Sequence, residues 1–233
     1  GGAGHVGFPL GIAFAEKNYQ VTLIDNNKKN LQKISNGFSP FLEIGAEKAT
    51  KKILKKNLFS FSSSLSSLIK SKFIIISIGT PIDSSLKPKL KEFLDLFKNL
   101  KKYVNKKQII IIRSSIYPGT FIKIREILNP KNDNIFYCPE RIVQGKSLLE
   151  LPKLPQIISG INLKEYKSTS KIFSDISSKI IKTSVTEAEL IKLFSNANRY
   201  INFAIANQFY LICKENGLDF SRVRKIMRDG YAR

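Results

Sequence analysis

Tryptophan is absent from the 233-residue chain, methionine and histidine occur once each, and cysteine occurs twice. Cys138 and Cys213 stand far apart with no metal-ligand spacing around either, so the sequence argues against a disulfide scaffold or a metal centre and fits a reducing compartment. No run of about eighteen apolar residues occurs, which excludes a membrane-spanning helix in this segment. No signal peptide is visible and a cytoplasmic location is expected, although the sequence opens on Gly1-Gly2 without an initiator methionine, so the true N-terminus is expected to lie upstream. Acidic residues are scarce: 18 Asp and Glu stand against 39 Lys and Arg, a formal net charge of +21. A polyanion partner would explain that excess, yet 31 of the 39 basic residues are lysines, scattered singly and in pairs such as Lys28-Lys29, Lys51-Lys52 and Lys101-Lys102. The Arg-rich stripe of a groove reader is missing, and abundant Lys, Ile, Asn, Ser and Phe form a skew of the kind an AT-rich genome produces. Neither nucleic acid nor a membrane is expected as a partner.

What is present is ample apolar material, 42% of residues, enough for one large domain or one domain and part of another. Apolar runs of β-branched residues alternate with amphipathic stretches, the pattern of strand and crossover helix. Strands are expected at Val21–Ile24, Phe73–Ile78, Ile109–Ile112, Ile135–Tyr137, Ile157–Ser159 and Ile180–Thr183. Runs such as Phe73-Ile74-Ile75-Ile76 are apolar on both pleat faces, as a parallel sheet covered on both sides requires. Helices are expected at about Phe8–Lys17, Lys28–Asn36, Ala46–Lys56, Lys89–Tyr103, Thr120–Leu128 and Lys164–Ile176. The serine run Ser60–Ser67 keeps Phe61, Leu65, Leu68 and Ile69 at helical spacing and reads as a loop entering a short helix. The fold class is therefore α/β, a doubly wound parallel sheet of Rossmann-like type.

A different element begins near Thr186, whose spacing to Glu189 is that of a capping box, and continues without Pro or Gly to Asn216 before Gly217. Roughly thirty helical residues extend about 45 Å, too long for a crossover helix. The expected organisation is a dinucleotide-binding domain over 1–184, lacking its first strand, then a connector helix and the start of an all-α central domain over 185–233.

Gly2-Ala3-Gly4-His5-Val6-Gly7 is a G-x-G-x-x-G at the mouth of a helix, followed by a strand and Asp25. Its glycines permit a tight turn and let N–H groups approach a pyrophosphate at the positive helix end, while the acid accepts bonds from the adenosine ribose hydroxyls. A carboxylate at position 25 favours NAD over NADP. A glycine turn without a ligand is the competing explanation, and His5 reads as a packing or ligand-adjacent residue. Three further strands end in Gly79-Thr80-Pro81, in Arg113-Ser114-Ser115 leading to Tyr117-Pro118-Gly119-Thr120, and in Cys138-Pro139-Glu140-Arg141. Each alone is an ordinary strand-to-helix turn; together they describe a crevice at the carboxyl end of a sheet. Lys192, Asn196 and Arg199 share one face of the long helix. That face is either a solvated stripe or, because Leu193, Ala197, Tyr200 and Ala204 look interior, a cleft wall.

Taken in order, Gly4-His5-Val6-Gly7-Phe8-Pro9-Leu10, Gly79-Thr80-Pro81, Arg113 to Thr120, Cys138-Pro139-Glu140-Arg141 and Ala188-Glu189-Leu190-Ile191-Lys192-Leu193, with Asn196 and Arg199, resemble the UDP-glucose/GDP-mannose dehydrogenase family across essentially the whole chain. The segment Arg199–Phe209 is more similar to the UDP-N-acetyl-D-mannosamine branch than to the UDP-glucose branch. The resemblance implies an NAD-dependent nucleotide-sugar 6-dehydrogenase of polysaccharide biosynthesis, oxidising the C6 alcohol by two successive hydride transfers. A homodimer through the long helix is expected because Phe203, Ile205, Phe209, Leu211 and Ile212 point in more directions than one domain can cover. The resemblance implies Gly2, Gly4, His5, Val6, Gly7, Asp25, Thr80, Pro81 and Ser114 as the cofactor site. It places Lys192 and Asn196 at the reacting carbon as oxyanion stabilisers, Glu140 and Ser115 at a water, and Glu140, Arg141, Lys192, Asn196 and Arg199 at the substrate. Ser115 departs from the family's usual threonine. The family's cysteine nucleophile matches neither Cys138 nor Cys213, so the chain reads as an N-terminal half that does not complete the reaction alone. A non-catalytic NAD-binding module, and an anionic-surface binder, remain rival functions.

Overall fold

The computed structural model describes residues 1–80, 83–84, 88–128 and 134–230. Seven strands and nine α-helices are described: α1 Gly7–Glu16, β1 Val21–Ile24, α2 Lys28–Ser35, α3 Ala46–Lys55, β2 Phe59–Ser62, β3 Phe73–Ile76, α4 Leu90–Leu100, β4 Ile109–Ile112, α5 Thr120–Leu128, β5 Ile135–Tyr137, α6 Ser147–Glu150, β6 Gln156–Gly160, α7 Leu163–Ser174, β7 Ile180–Lys182, α8 Val185–Glu215 and α9 Phe220–Arg228. A 3-10 helix, Leu65–Lys70, lies between β2 and β3. The chain divides into two compact units, Gly1–Lys192 and Leu193–Arg233, with the division falling inside α8.

In the first unit β1 pairs with β2, and a five-stranded sheet runs in the order β3-β4-β5-β6-β7. Its second strand, β4, is four isoleucines each fully buried. The pleat sends alternate side chains to opposite faces: Ile110 and Ile112 join Phe93 and Phe97 of α4 and Phe121 and Ile124 of α5, while Ile109 and Ile111 join Leu10 and Phe14 of α1 and Phe173 of α7. Helices thus cover both faces, as the uninterrupted apolar run required. Burying one isoleucine contributes about 1.5–3 kcal/mol, so this strand ties the helix layers on its two faces together.

Three differences from the expected pattern have local causes. The strand β2 was hidden by its serines: Phe59 and Phe61 alternate with Ser60 and Ser62, a half-buried strand pattern paired in register with Val21–Ile24. One pair, β5 with β6, is antiparallel. The connection between them carries only the four-residue helix α6 in place of a crossover helix, so the chain runs back along β5. Finally, the capping box of α8 is Ser184 with Glu187, not Thr186 with Glu189. The Ser184 N–H and hydroxyl donate to Glu187 Oε2 at 2.9 and 2.8 Å, and Glu187 N donates back to Ser184 Oγ at 3.3 Å. The helix therefore starts at Val185, one residue before the expected start.

A candidate dinucleotide and substrate site at the strand ends

The glycine turn packs against the end of β1. Gly2 N donates to Ile24 O at 2.9 Å and Gly4 N to Gly1 O at 3.3 Å. A Cβ on Gly7 would overlap Gly1 O and stand 2.8 Å from Ser77 Oγ, and one on Gly2 would stand 2.7 Å from Ile24 N, so both positions require the bare backbone. The first bond of α1 is Phe8 N to Gly4 O at 3.0 Å, which leaves the amides of His5, Val6 and Gly7 ahead of it at the positive helix end. Asp25 follows β1 and is turned onto this loop: Oδ2 accepts from Ala3 N at 3.0 Å and Oδ1 from Asn27 N at 2.9 Å. A carboxylate has about four lone-pair sites, so these two bonds orient Asp25 without exhausting it. His5 is exposed and stacks on Phe41 with ring centroids 3.9 Å apart, the packing role that its place in the turn suggested.

Across the sheet, Ser114 follows β4. Its hydroxyl is buried with no hydrogen-bond partner among the described residues. A sterically required glycine cradle with an oriented acid, and an orphaned hydroxyl after β4, fit a dinucleotide: the cradle for its pyrophosphate, Asp25 for a ribose, Ser114 for a polar atom of the bound group. Thr80 is half-buried and lines a shallow pocket with Ile116, Tyr117 and Thr120. Pro81 lies outside the described residues.

At the carboxyl end of β5 two separate motifs of the expected site come together. Lys192 Nζ donates to the backbone carbonyl of Glu140. The Glu140 carboxylate accepts from its own turn, Arg141 N at 2.7 Å and Ile142 N at 3.1 Å, through Oε1, and its Oε2 pairs with Arg113 Nη2. Arg141 extends to Pro155 O at 2.6 Å, and Ser115 is half-buried beside the buried Ser114. Neither cysteine is presented as a nucleophile. Cys138 is fully buried, and burial pushes its thiol up to about 12; Cys213 is buried on α8.

Sequence reasoning missed the residues that hold this arrangement. Arg113, fully buried, also donates from Nη1 to Gln156 Oε1 at 2.8 Å. Glu189, freed from the expected capping box, is buried and accepts from Gly119 N at 2.9 Å and Phe121 N at 3.1 Å at the start of α5. Glu43 accepts from Ser147 Oγ at 2.8 Å and Leu148 N at 3.1 Å at the start of α6. A buried carboxylate on a helix N-terminus is electrostatically favourable, but the sequence carries no local sign of which helix each one serves.

In the second unit, Asn196 Oδ1 accepts from Arg199 Nη2 at 3.3 Å, one turn apart on the same helix face. The expectation that Ala197, Tyr200 and Ala204 are interior is not met: all three are exposed, and Leu193 is half-buried. Within this unit the nine-residue α9 is the other described helix, and it leaves much of α8 uncovered.

A doubly wound sheet with a glycine cradle, an oriented acid and a polar crevice at its strand ends defines a dinucleotide-binding domain of the Rossmann type, as found in oxidoreductases. The chain belongs to the UDP-glucose/GDP-mannose dehydrogenase family: residues 1–177 match its NAD binding domain and residues 186–231 its central domain. It is 33% identical to the UDP-N-acetyl-D-mannosamine dehydrogenase of Methanococcus vannielii over 223 residues, 94% of this chain and 51% of that protein. It is 25% identical to the UDP-glucose 6-dehydrogenase YwqF of Bacillus subtilis over 229 residues, 95% of this chain and 52% of that protein. The structure of a UDP-D-ManNAc dehydrogenase from Pyrococcus horikoshii superposes with a TM-score of 0.88 at 25% identity, covering 99% of this chain and 56% of that one. The chain spans about half the length of the relatives it matches. Among the described residues no helix is long and apolar enough to cross a membrane.

Proposed function

We propose that the chain is the NAD-binding and substrate-facing part of a nucleotide-sugar 6-dehydrogenase, oxidising the C6 hydroxymethyl group of UDP-N-acetyl-D-mannosamine to the carboxylate in two hydride transfers. The observation that carries this reading is the bond from Lys192 to the Glu140 carbonyl, which joins motifs 52 positions apart at the mouth of the crevice. NAD, held at the Gly2–Gly7 cradle and Asp25, supplies the hydride acceptor. In this mechanism the Lys192 ammonium, anchored at Glu140, stabilises the negative charge that develops on the sugar oxygen. Asn196 adds an amide donor, and Arg199 and Arg141 hold the polar periphery of the substrate. The Glu140 carboxylate, held by Arg141 N, Ile142 N and Arg113, orients a water that the Ser115 hydroxyl also holds.

Cys138 and Cys213 stay outside the chemistry because both thiols are buried. The nucleophile that traps the aldehyde therefore comes from outside this segment, and the segment alone does not complete the oxidation. Steady-state NADH production by the complete gene product tests the reading. The expected order is UDP-N-acetyl-D-mannosamine ahead of UDP-glucose and GDP-mannose. A best rate on UDP-glucose would move the assignment to the other branch, for which the similarity to YwqF speaks; NAD binding without turnover on any nucleotide sugar would leave a binding module.

A further inference from the structure

One buried charge has no part in that mechanism. The Arg113 side chain is fully buried, and burial pulls its guanidinium down to about 10, still protonated at neutral pH. A buried cation is tolerated only where it is paired and hydrogen-bonded. Arg113 is tied on three sides by residues from three other segments: Glu140 Oε2 beyond β5, Gln156 Oε1 at the start of β6 at 2.8 Å, and the Phe173 ring of α7, 5.1 Å from Cζ to the centroid. These contacts fix the plane of the guanidinium. The plane in turn fixes the carboxylate, because Glu140 Oε1 is held separately by Arg141 N and Ile142 N.

We propose that Arg113 is the positioning residue of the site: through the Arg113–Glu140 pair it locks the Glu140 carboxylate in one orientation, in the turn whose carbonyl accepts from Lys192. The inference rests on the reading that Glu140 and Lys192 face the reacting sugar. A merely structural ion pair would be replaceable by apolar side chains of similar volume at little cost in stability. Here one oxygen of the carboxylate is reserved for the guanidinium and the other for the turn. That geometry depends on a planar fork, which a lysine cannot reproduce. The other ionisable groups around the pair are few. Tyr137 and Cys138, at the end of β5, interact with Arg113 and are both pushed up by burial, so they are neutral in the working range. Glu189 of α8 acts on Tyr137, Arg141 belongs to the same turn, and Lys192 reaches the Glu140 carbonyl. Arg113 is thus the cation that pairs with the Glu140 carboxylate among the described residues.

The test uses the complete gene product labelled with carboxyl-13C glutamate, the Glu140 signal being assigned by its loss in Glu140→Gln. In Arg113→Gln the Glu140 titration midpoint should rise by about one pH unit or more, the range a lost opposite charge produces. The acid limb of kcat should rise with it while NAD affinity is unchanged. Arg113→Lys keeps the charge and serves where the neutral variant does not fold: kcat should fall at least tenfold with KM for NAD unchanged and the midpoint close to that of the parent. An unmoved Glu140 midpoint in folded Arg113→Gln, or parental kcat in Arg113→Lys, would overturn the proposal. If the parent turns over no nucleotide sugar, the functional reading fails by itself, and the titration still decides whether Arg113 governs Glu140.

Discussion

At the scale of single residues, Gly7 and Lys192 show how differently a motif and a network are written in a sequence. Gly7 is legible because crowding leaves only one residue type possible: Gly1 O stands where a methyl group would have to go, so Gly7→Ala must push the turn apart. We expect this variant to lose NAD binding while the rest of the first unit keeps its sheet. Calorimetric titration with NAD, alongside the far-ultraviolet circular dichroism of parent and variant, measures both. Parental affinity in Gly7→Ala would remove the cradle from the cofactor site. By spacing Lys192 was one of three polar residues on a helix face, only the family resemblance put it at the reacting carbon, and its bond to the Glu140 carbonyl appeared once the chain was folded. Lys192→Ala should reduce turnover on the order of a hundredfold, the effect of losing one oxyanion-type donor, with NAD affinity unchanged. NADH production in the steady state is the measurement, and a rate within about twofold of the parent would make Lys192 part of a solvated stripe. Arg113 stands in a legible motif without a legible role, because a buried arginine declares itself only through partners on β6 and α7 that local spacing does not reveal.

At the scale of elements, the parallel core was readable because β4 needed nothing but a run of β-branched residues, whereas caps depend on who stands nearby after folding. Thr186 and Glu189 have the right spacing for a capping box, yet Ser184 and Glu187 form it, and Glu189 caps α5 instead. Both pairs satisfy the same sequence rule; burial separates them, since Glu189 is interior and Glu187 exposed. The consequence is a pH signature. Hydrogen bonds from the Thr183 hydroxyl and from the Ser184 backbone and hydroxyl hold the Glu187 carboxyl down at about 2 against an ordinary value of 4.5. A lowered pKa in the folded state means that the cap contributes stability above about 4.5, and that this contribution is lost as pH falls toward about 2. Glu187→Gln should therefore be less stable than the parent near neutral pH, with the difference shrinking across that window. Thermal unfolding of both proteins at about pH 6 and about pH 3 reads it, and an equal difference at the two pH values would show that the cap is not the source.

At the scale of the whole molecule, α8 poses a problem that no single-chain pattern could solve. The sequence predicted an uninterrupted helix and the structure contains one, 31 residues from Val185 to Glu215. The expected apolar surface is there: Phe203, Ile205, Phe209, Leu211 and Ile212 are all exposed, joined by Phe194, Tyr200 and Tyr210, and Tyr210 meets Phe220 of α9 edge to face with centroids 6.1 Å apart. Apolar periodicity says that a face must be covered but not by what, which is why Ala197 and Tyr200 read as interior. A helix apolar on several sides at once does not remain so in water, and an exposed patch of aromatic and aliphatic side chains marks an association surface. The expected cover is a second copy of the same helix, so light scattering at micromolar concentration should report a dimer. Replacing Phe203 and Phe209 together by Glu should shift the distribution to monomer and leave NAD affinity intact, because the cradle and Asp25 lie in the first unit. A parent that scatters as a monomer would show that something other than a second copy covers α8.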